Sequence, residues 1–359
     1  MRIRPFSLTL ASPLRTAREE LTEREGFLVG VGFDGGEDGP VPGVGEATPL
    51  PGWTESFSAC EAALREAGSD TASAGRVAAP EDLAVIDARE TPAARHGLAL
   101  ALGDAAAREA DRSLADHLAD RADAPNPADS VPVNATIGDG TPESTAAAAA
   151  RAVEDGYRCL KVKAGARPLA DDLDRLRAVR EAVGSAIDLR VDANGAWDRA
   201  TARRALDRLK PLDIAYVEQP LPAADLGGTA GLRAESEVPI ALDESLAAHS
   251  VADVLAAGAA DALVIKPMAL GGPDRALDAA LRAREAGVDP VITTTIDAVV
   301  ARTAAVHVAG AVPEVLPCGL ATGDLLAADL APDPRPVADG RIAVPDGPGI
   351  ADGAFDELV

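Results

Sequence analysis

Lysine is the residue this chain mostly does without. Of 34 basic residues only four are lysine (Lys161, Lys163, Lys210 and Lys266), leaving 30 arginines. Arginine stays protonated at any working pH, whereas a buried lysine can lose its proton and act as a base. Two of the four lysines sit in the tripeptide 161–163, which points to chemistry that arginine cannot do. Aromatic residues make up 3% of the chain, so a core must be built from small aliphatic side chains. The three cysteines, Cys60, Cys159 and Cys318, lie far apart and match no metal-ligand spacing. That excludes a cysteine-rich metal site and suits reduced thiols in a cytoplasm. No window approaches the roughly 18 apolar residues of a membrane span. The stretch MRIRPFSLTL holds no apolar run of signal length, so a cytoplasmic location without membrane partners is expected.

Acid, by contrast, is abundant. With 58 Asp and Glu the formal net charge is −24, and the acids are spread along the whole chain. Such a surface repels nucleic acid and anionic lipid, which excludes both as partners. An acidic surface with so little lysine is also what a salt-loaded cytoplasm favours, because molar cations screen the repulsion between carboxylates. A halophilic source is therefore expected. At 359 residues and 47% apolar content, the chain can bury a sizeable core.

Residues 1–60 read as strands and turns: FLVGVGFDGG is β-like and breaks at Gly35–Gly36, and VGEATPLPGW is a loop dense in glycine and proline. From Ser58 to about Asp120 the pattern becomes helical. After the linker-like RADAPNPADS, short apolar runs (VPVNATI, CLKVKA, DLRVDAN, IAYVEQP, PIALDES, DALVIKP, PVITTTI) alternate with amphipathic stretches rich in alanine and arginine. Strand–helix alternation repeated at this spacing predicts an α/β fold with a (β/α) barrel, and an open doubly wound sheet lacks its glycine fingerprint here. The expected division is an N-terminal α+β domain over 1–125, the barrel over 126–330, and a C-terminal segment over 331–359 that packs back on the first domain.

Barrel enzymes place their chemistry at the C-terminal ends of strands. Those ends carry Lys161 and Lys163, Asp192 with Asn194, Glu218, Asp243 with Glu244, and Lys266, with gaps from Lys163 of 29, 26, 25 and 23 residues. Base, acid, acid, acid and base thus follow one another around one mouth. Three converging carboxylates need a cation, and hard oxygen ligands suit Mg2+. A lysine beside such an ion has its pKa lowered and becomes available as a base. Taken singly, Asp192 in DANG is also a turn residue and Asp243 in LDES also a helix N-cap. Lys210, in RALDRLKPLD, reads as a solvated charge, and the four histidines (His96, His117, His249 and His307) show no paired spacing.

The motifs KVK, DAN, EQP, LDES and IKP followed by GG, in this order, resemble the enolase superfamily, in its muconate-lactonising-enzyme subgroup. The resemblance spans essentially the whole chain. It implies a modified TIM barrel of (β/α)7β type under an α+β capping domain whose loops close over the mouth. It further implies that Asp192, Glu218 and Asp243 bind Mg2+, with Mn2+ as a substitute. Lys163 would be the base, Lys266 would stand on the opposite face, Lys161 would tune Lys163, and Arg190 would line the same mouth.

VPVNATIGD, TPLPGW, TTTIDAVVAR and CGLATGDLLAADL resemble, within that subgroup, the o-succinylbenzoate synthases of menaquinone biosynthesis. That resemblance implies a small carboxylate substrate, dehydrated through an enediolate. It places Pro51, Gly52 and Trp53 near the substrate, with Thr294, Thr295 and Gly319. Two lysines on opposite faces equally suit an N-succinylamino acid racemase or a dipeptide epimerase. The epimerases' Asp-x-Asp motif is missing from PCGLATGD. A Schiff-base barrel using Lys163 or Lys266, which leaves the three acids unexplained, and a non-catalytic scaffold, which predicts no metal binding, are the remaining alternatives.

Overall fold

The computed structural model describes residues 1–15, 20–32, 41–73 and 80–359; the Gly35–Gly36 break expected above lies outside them. The N-terminal part is an antiparallel sheet of β1 (Arg2–Arg15), β2 (Glu20–Val31) and β3 (Gly43–Ala47) in that order. Three helices follow: α1 (Phe57–Ser73), α2 (Pro92–Glu109) and α3 (Leu114–Arg121). The α2 helix lies very close to β3, and a side chain at Gly45 would put its Cβ 2.0 Å from the Gly97 carbonyl oxygen. Only glycine admits that approach.

The strand β4 (Ser130–Pro132) leads into the barrel. Seven parallel strands follow in sequence order: β5 (Ala135–Ile137), β6 (Cys159–Lys163), β7 (Asp188–Asp192), β8 (Ile214–Glu218), β9 (Ile240–Leu242), β10 (Ala262–Ile265) and β11 (Asp289–Ile292). They alternate with α4 (Pro142–Glu154), α5 (Leu169–Val183), α6 (Arg199–Leu209), α7 (Leu226–Glu235), the short α8 (Ser245–Ala248) and α9 (Val251–Ala257), α10 (Pro267–Leu270), α11 (Pro273–Glu285) and, after β11, α12 (Val299–Ala311). The sheet closes through Cys318 and Gly319. Cys318 N–H donates to Pro132 O at 2.8 Å, Asn134 N–H to Cys318 O at 2.9 Å, and Gly319 N–H to Ile292 O at 2.9 Å. This two-residue stretch serves as the eighth strand.

The two-residue period of a strand sorts side chains between the two faces. Leu160, Val162, Leu189, Val191, Ile240 and Leu242 face outward into the helix layer and belong to the main core. Their neighbours Tyr216, Ala241, Ala262, Val264 and Val291 form a separate cluster inside the barrel. Lys161, Lys163, Arg190, Asp192 and Glu218 share that inward phase, so the apolar alternation itself delivers the charged residues to the axis. At the far end β12 (Arg341–Ala343) pairs antiparallel with β4. Leu114 N–H donates to Gly349 O at 2.8 Å, and Arg108 pairs with Asp356 at 2.7 Å. The last residues therefore touch both α2–α3 and the barrel.

Candidate active site

The ends of β6 to β10 bring the strand-end charges into contact. Asp192 and Glu218 are direct cross-strand neighbours, each 1% exposed, and Asp243 follows β9 at 7%. Each carboxylate faces a lysine. Lys161 Nζ lies 3.0 and 3.2 Å from the two oxygens of Glu218 and 3.5 Å from Asp192. Lys163 Nζ donates to Asp192 at 2.7 Å and to Asn194 Oδ1 at 3.1 Å. Lys266 Nζ, just after β10, pairs with Asp243, just after the neighbouring β9. Lys210, the fourth lysine, lies elsewhere, against Glu237 at 3.0 Å.

Both turn readings receive an answer. Asp192 does shape its turn, accepting from Asn194 N–H at 3.1 Å, while Asn194 takes φ 46°. Its other oxygen is the one that receives Lys163, so turn and site share one carboxylate. Asp243 caps nothing; the residue at the N-cap of α8 is Glu244, which makes no side-chain cap.

Burial makes the charges expensive and the lysines offset part of that cost. Burial, and after it Asp192, pushes the Glu218 carboxyl up to about 7, against the pull of Lys161. Burial opposes ionisation of Asp192 too, but Lys163 and Lys161 outweigh it and hold that carboxyl well below the usual range. Burial raises Asp243, with Lys266 pulling it down. For Lys161 burial is again the largest influence, and Glu218 and Asp192 overcome it, so Lys161 stays an ammonium. Among the described residues no three Asp, Glu, His or Cys side chains form a closed ligand cage, each acid being turned onto a lysine instead. By donor chemistry the three acids still fit a hard divalent cation: all are carboxylates, all are buried on adjacent strand ends, and Glu218 carries negative charge that its surroundings resist.

The expected substrate contacts divide. Trp53 reaches the site from the N-terminal domain, its ring centroid 3.4 Å from Lys266 Nζ. Thr294 Oγ1 meets Thr322 Oγ1 at 3.1 Å. Thr295 is 2% exposed and bonded to Asp297. Gly319 pairs with Thr293, whose Oγ1 would lie 2.5 Å from any Cβ added there, so packing alone demands glycine. Arg190 is 2% exposed inside the barrel, stacked 4.6 Å above the Tyr216 ring and donating to Pro317 O at 2.6 Å. Its guanidinium therefore braces the barrel wall below the mouth.

Sequence reasoning missed the supports of the site. Gln219, fully buried at φ 43°, accepts from the N–H groups of Asp243 (3.2 Å) and Ser245 (3.0 Å) and donates to Leu221 O (2.8 Å). It ties the Glu218 turn to the Asp243 turn. Asn194 Nδ2 donates to Glu244 at 2.9 Å, which orients the amide oxygen toward Lys163. Arg175, buried against Asp172 at 2.8 Å, donates to the carbonyl of Lys163 at 3.0 Å. EQP and DAN were legible as motifs, but Arg175 is one of thirty arginines and gave no signal. His307 is a core histidine: its Nδ1 accepts from Ala115 N–H at 3.1 Å, its Nε2 donates to Ile350 O at 2.7 Å, and burial pushes it down to about 4. All three cysteines are free and buried, and no helix among the described residues is long and apolar enough to cross a membrane.

Residues 144–351 match the family model described as Enolase C-terminal domain-like. The o-succinylbenzoate synthase of Thermobifida fusca (strain YX) is 41% identical over 221 residues, which cover 60% of this chain and 67% of that protein. The chloromuconate cycloisomerase of Delftia acidovorans is 30% identical over 351 residues, covering 97% of this chain and 91% of its own length. In three dimensions the dipeptide epimerase from Methylococcus capsulatus, solved with Mg and the dipeptide L-Arg-D-Lys, superposes with a TM-score of 0.80 at 29% identity, covering 98% of each chain. The order of the motifs, the capped barrel and these similarities agree: the chain is an enzyme that belongs to the enolase superfamily.

Proposed function

We propose that the protein is a Mg2+-dependent o-succinylbenzoate synthase, a cytoplasmic lyase that dehydrates 2-succinyl-6-hydroxy-2,4-cyclohexadiene-1-carboxylate to 2-succinylbenzoate. The observation that carries this reading is the likeness to the Thermobifida synthase, at 41% identity over 221 residues. Lys163 and Lys266, held apart by three buried acids, supply the chemistry. Asp192, Glu218 and Asp243 would hold Mg2+ (or Mn2+), which when bound would draw the substrate carboxylate into the mouth and stabilise negative charge developing on it. Lys163, the more exposed lysine of its pair with 38% of its side chain open, removes the proton beside that carboxylate. The resulting ammonium then returns a proton to the departing hydroxyl, so water leaves and the ring becomes aromatic. Lys266, held under the Trp53 ring, remains a cation on the opposite face and steadies the enediolate. Lys161 stays charged against Glu218 and sets the field at Lys163. Trp53 and Thr294 border the substrate, with Thr295, Gly319 and Arg190 shaping the walls behind them.

We assign residues 1–125 to the capping domain, 126–330 to the barrel and 331–359 to the returning segment. A surface of net charge −24 suits concentrated salt and a cytoplasmic setting without nucleic acid or membrane partners. A second reading, racemisation of N-succinylamino acids or epimerisation of dipeptides, draws on the opposed lysines and on the Methylococcus epimerase. Offering both substrate classes in parallel separates the two. Ultraviolet absorbance follows aromatisation, and optical rotation follows an N-succinylamino acid. Fast aromatisation with negligible racemisation supports the synthase; racemisation without aromatisation replaces it with the second reading.

A further inference from the structure

Outside the mouth, a set of buried charged groups lies where the capping domain meets the barrel. Arg24, on β2, is 3% exposed and donates to three backbone carbonyls from two loops. Its Nη2 reaches Thr48 O at 2.9 Å and its Nη1 Pro49 O at 3.0 Å. Its Nε reaches Ile296 O at 3.3 Å, in the loop after β11. The first loop runs on through a tight turn, with Trp53 N–H donating to Leu50 O at 2.9 Å, and lays Trp53 over Lys266. The second loop carries Thr294 and Thr295.

Two further features show that these loops are held rather than resting. Ile296 has φ 62°, a left-handed conformation that strains a β-branched residue and persists only where neighbours enforce it. The polar groups able to enforce it are Arg24, on its carbonyl, and Thr294, whose Oγ1 accepts its N–H at 3.2 Å. Glu46, fully buried on β3, accepts from Ala298 N–H and Ala301 N–H at 2.8 Å each, pinning the start of α12 directly behind that loop. The carboxylates of Asp297 and Glu46 lie near enough to balance the guanidinium. Three carbonyls at three different nitrogens require the arginine fork, which a lysine ammonium cannot reproduce.

We propose that Arg24 is a positioning residue that locks the Trp53 loop and the Ile296 loop into one register, and so selects the carboxylate that the mouth accepts. Only the identity of that carboxylate rests on the synthase reading; the lock itself does not.

The test uses the full chain in a Trp197→Phe background, which leaves Trp53 as the sole indole of the two in the sequence. Without substrate, Arg24→Met should raise acrylamide quenching of Trp53 about twofold or more and speed amide exchange at Thr295–Asp297, as expected when a local opening becomes easier. With substrate, KM should rise about tenfold while kcat changes far less, the pattern of lost positioning. Ile296→Gly, which takes the left-handed conformation freely, should restore slow exchange in the Arg24→Met protein. If Arg24→Met does not fold, Arg24→Lys decides, because it keeps the charge and loses the fork; it should show the same quenching and exchange changes. A folded Arg24 variant with Trp53 quenching and loop exchange unchanged overturns the proposal. Absence of synthase turnover in the parent protein overturns the substrate reading and leaves the quenching result to judge the lock.

Discussion

A lysine pressed against a carboxylate is normally an ammonium, and an ammonium is no base. Lys161, Lys163 and Lys266 balance Asp192, Glu218 and Asp243 charge for charge in this structure. On the proposed function it is Lys163, the most solvent-open of the three lysines, that takes up the substrate proton. Lys161, clasped by both oxygens of Glu218, cannot do so. Lys163→Ala is therefore expected to lower kcat by roughly 10²–10⁴-fold, the usual worth of a positioned proton-transfer group. Mg2+ binding, followed by calorimetry, should survive the substitution. Loss of Mg2+ binding together with turnover would place Lys163 among the structural supports instead. Glu218→Gln should behave the opposite way, abolishing the binding heat while the fold persists.

At the scale of elements, the capping domain meets the barrel through buried charge, and that joint should respond to pH. Burial and then Asp297 push Glu46 up to about 7 from an ordinary 4.5. Between those values the folded protein holds a proton that the unfolded chain has released, so stability falls as pH rises through the window, by at most about 1.4 kcal/mol per pH unit. Asp297, raised by its own burial, adds a contribution of the same sign. His96, whose Nδ1 donates to Glu46 O, is lowered by burial and acts oppositely, losing stability as pH falls below its ordinary 6.5. Burial lowers Arg24, with Asp297 and Glu46 pulling it back up. Comparing melting temperature against pH for the parent and for Glu46→Gln isolates the glutamate: the variant should lose less stability between pH 5 and pH 7. Parallel curves would show that Glu46 is ionised across the range. None of this joint was legible in the sequence. Arg24 and Glu46 sit in strands whose burial depends on partners about 250 residues away, and an arginine among thirty carries no mark. The closing strand was hidden from periodicity, because two residues, Cys318 and Gly319, are too few to show a period, and only the family resemblance pointed to PCGLATGD. The strands β6 to β10 were legible because each couples a short apolar run to a charged end, and the lysines because the chain has so few.

For the whole molecule, the charge of −24 sets the conditions under which any of this can be measured. The Debye length is about 3 Å at 1 M salt and about 10 Å at 0.1 M, so dilution lets carboxylates across the surface repel one another. The melting temperature should fall steeply as KCl drops from molar to roughly 0.1 M. An unchanged midpoint would remove the case for a salt-loaded cytoplasm. Fold and mouth depend on other features, since period-2 alternation and strand-end charges act at any ionic strength. The strand-end charges named in the sequence do come together at one mouth, while their roles rest on the proposed function. Arg190 and Gly319 answer to barrel packing, which only the closed fold makes visible.

Metal-dependent dehydration at the barrel mouth is the claim on which the proposed function rests. The direct measurement is the rate of aromatisation of the cyclohexadiene carboxylate by the purified protein in molar KCl, first with Mg2+, then after EDTA, then with Mg2+ restored. Rapid turnover is expected, with its loss on EDTA treatment and its return with Mg2+. No aromatisation with Mg2+ present, or turnover indifferent to EDTA, would contradict the proposed function.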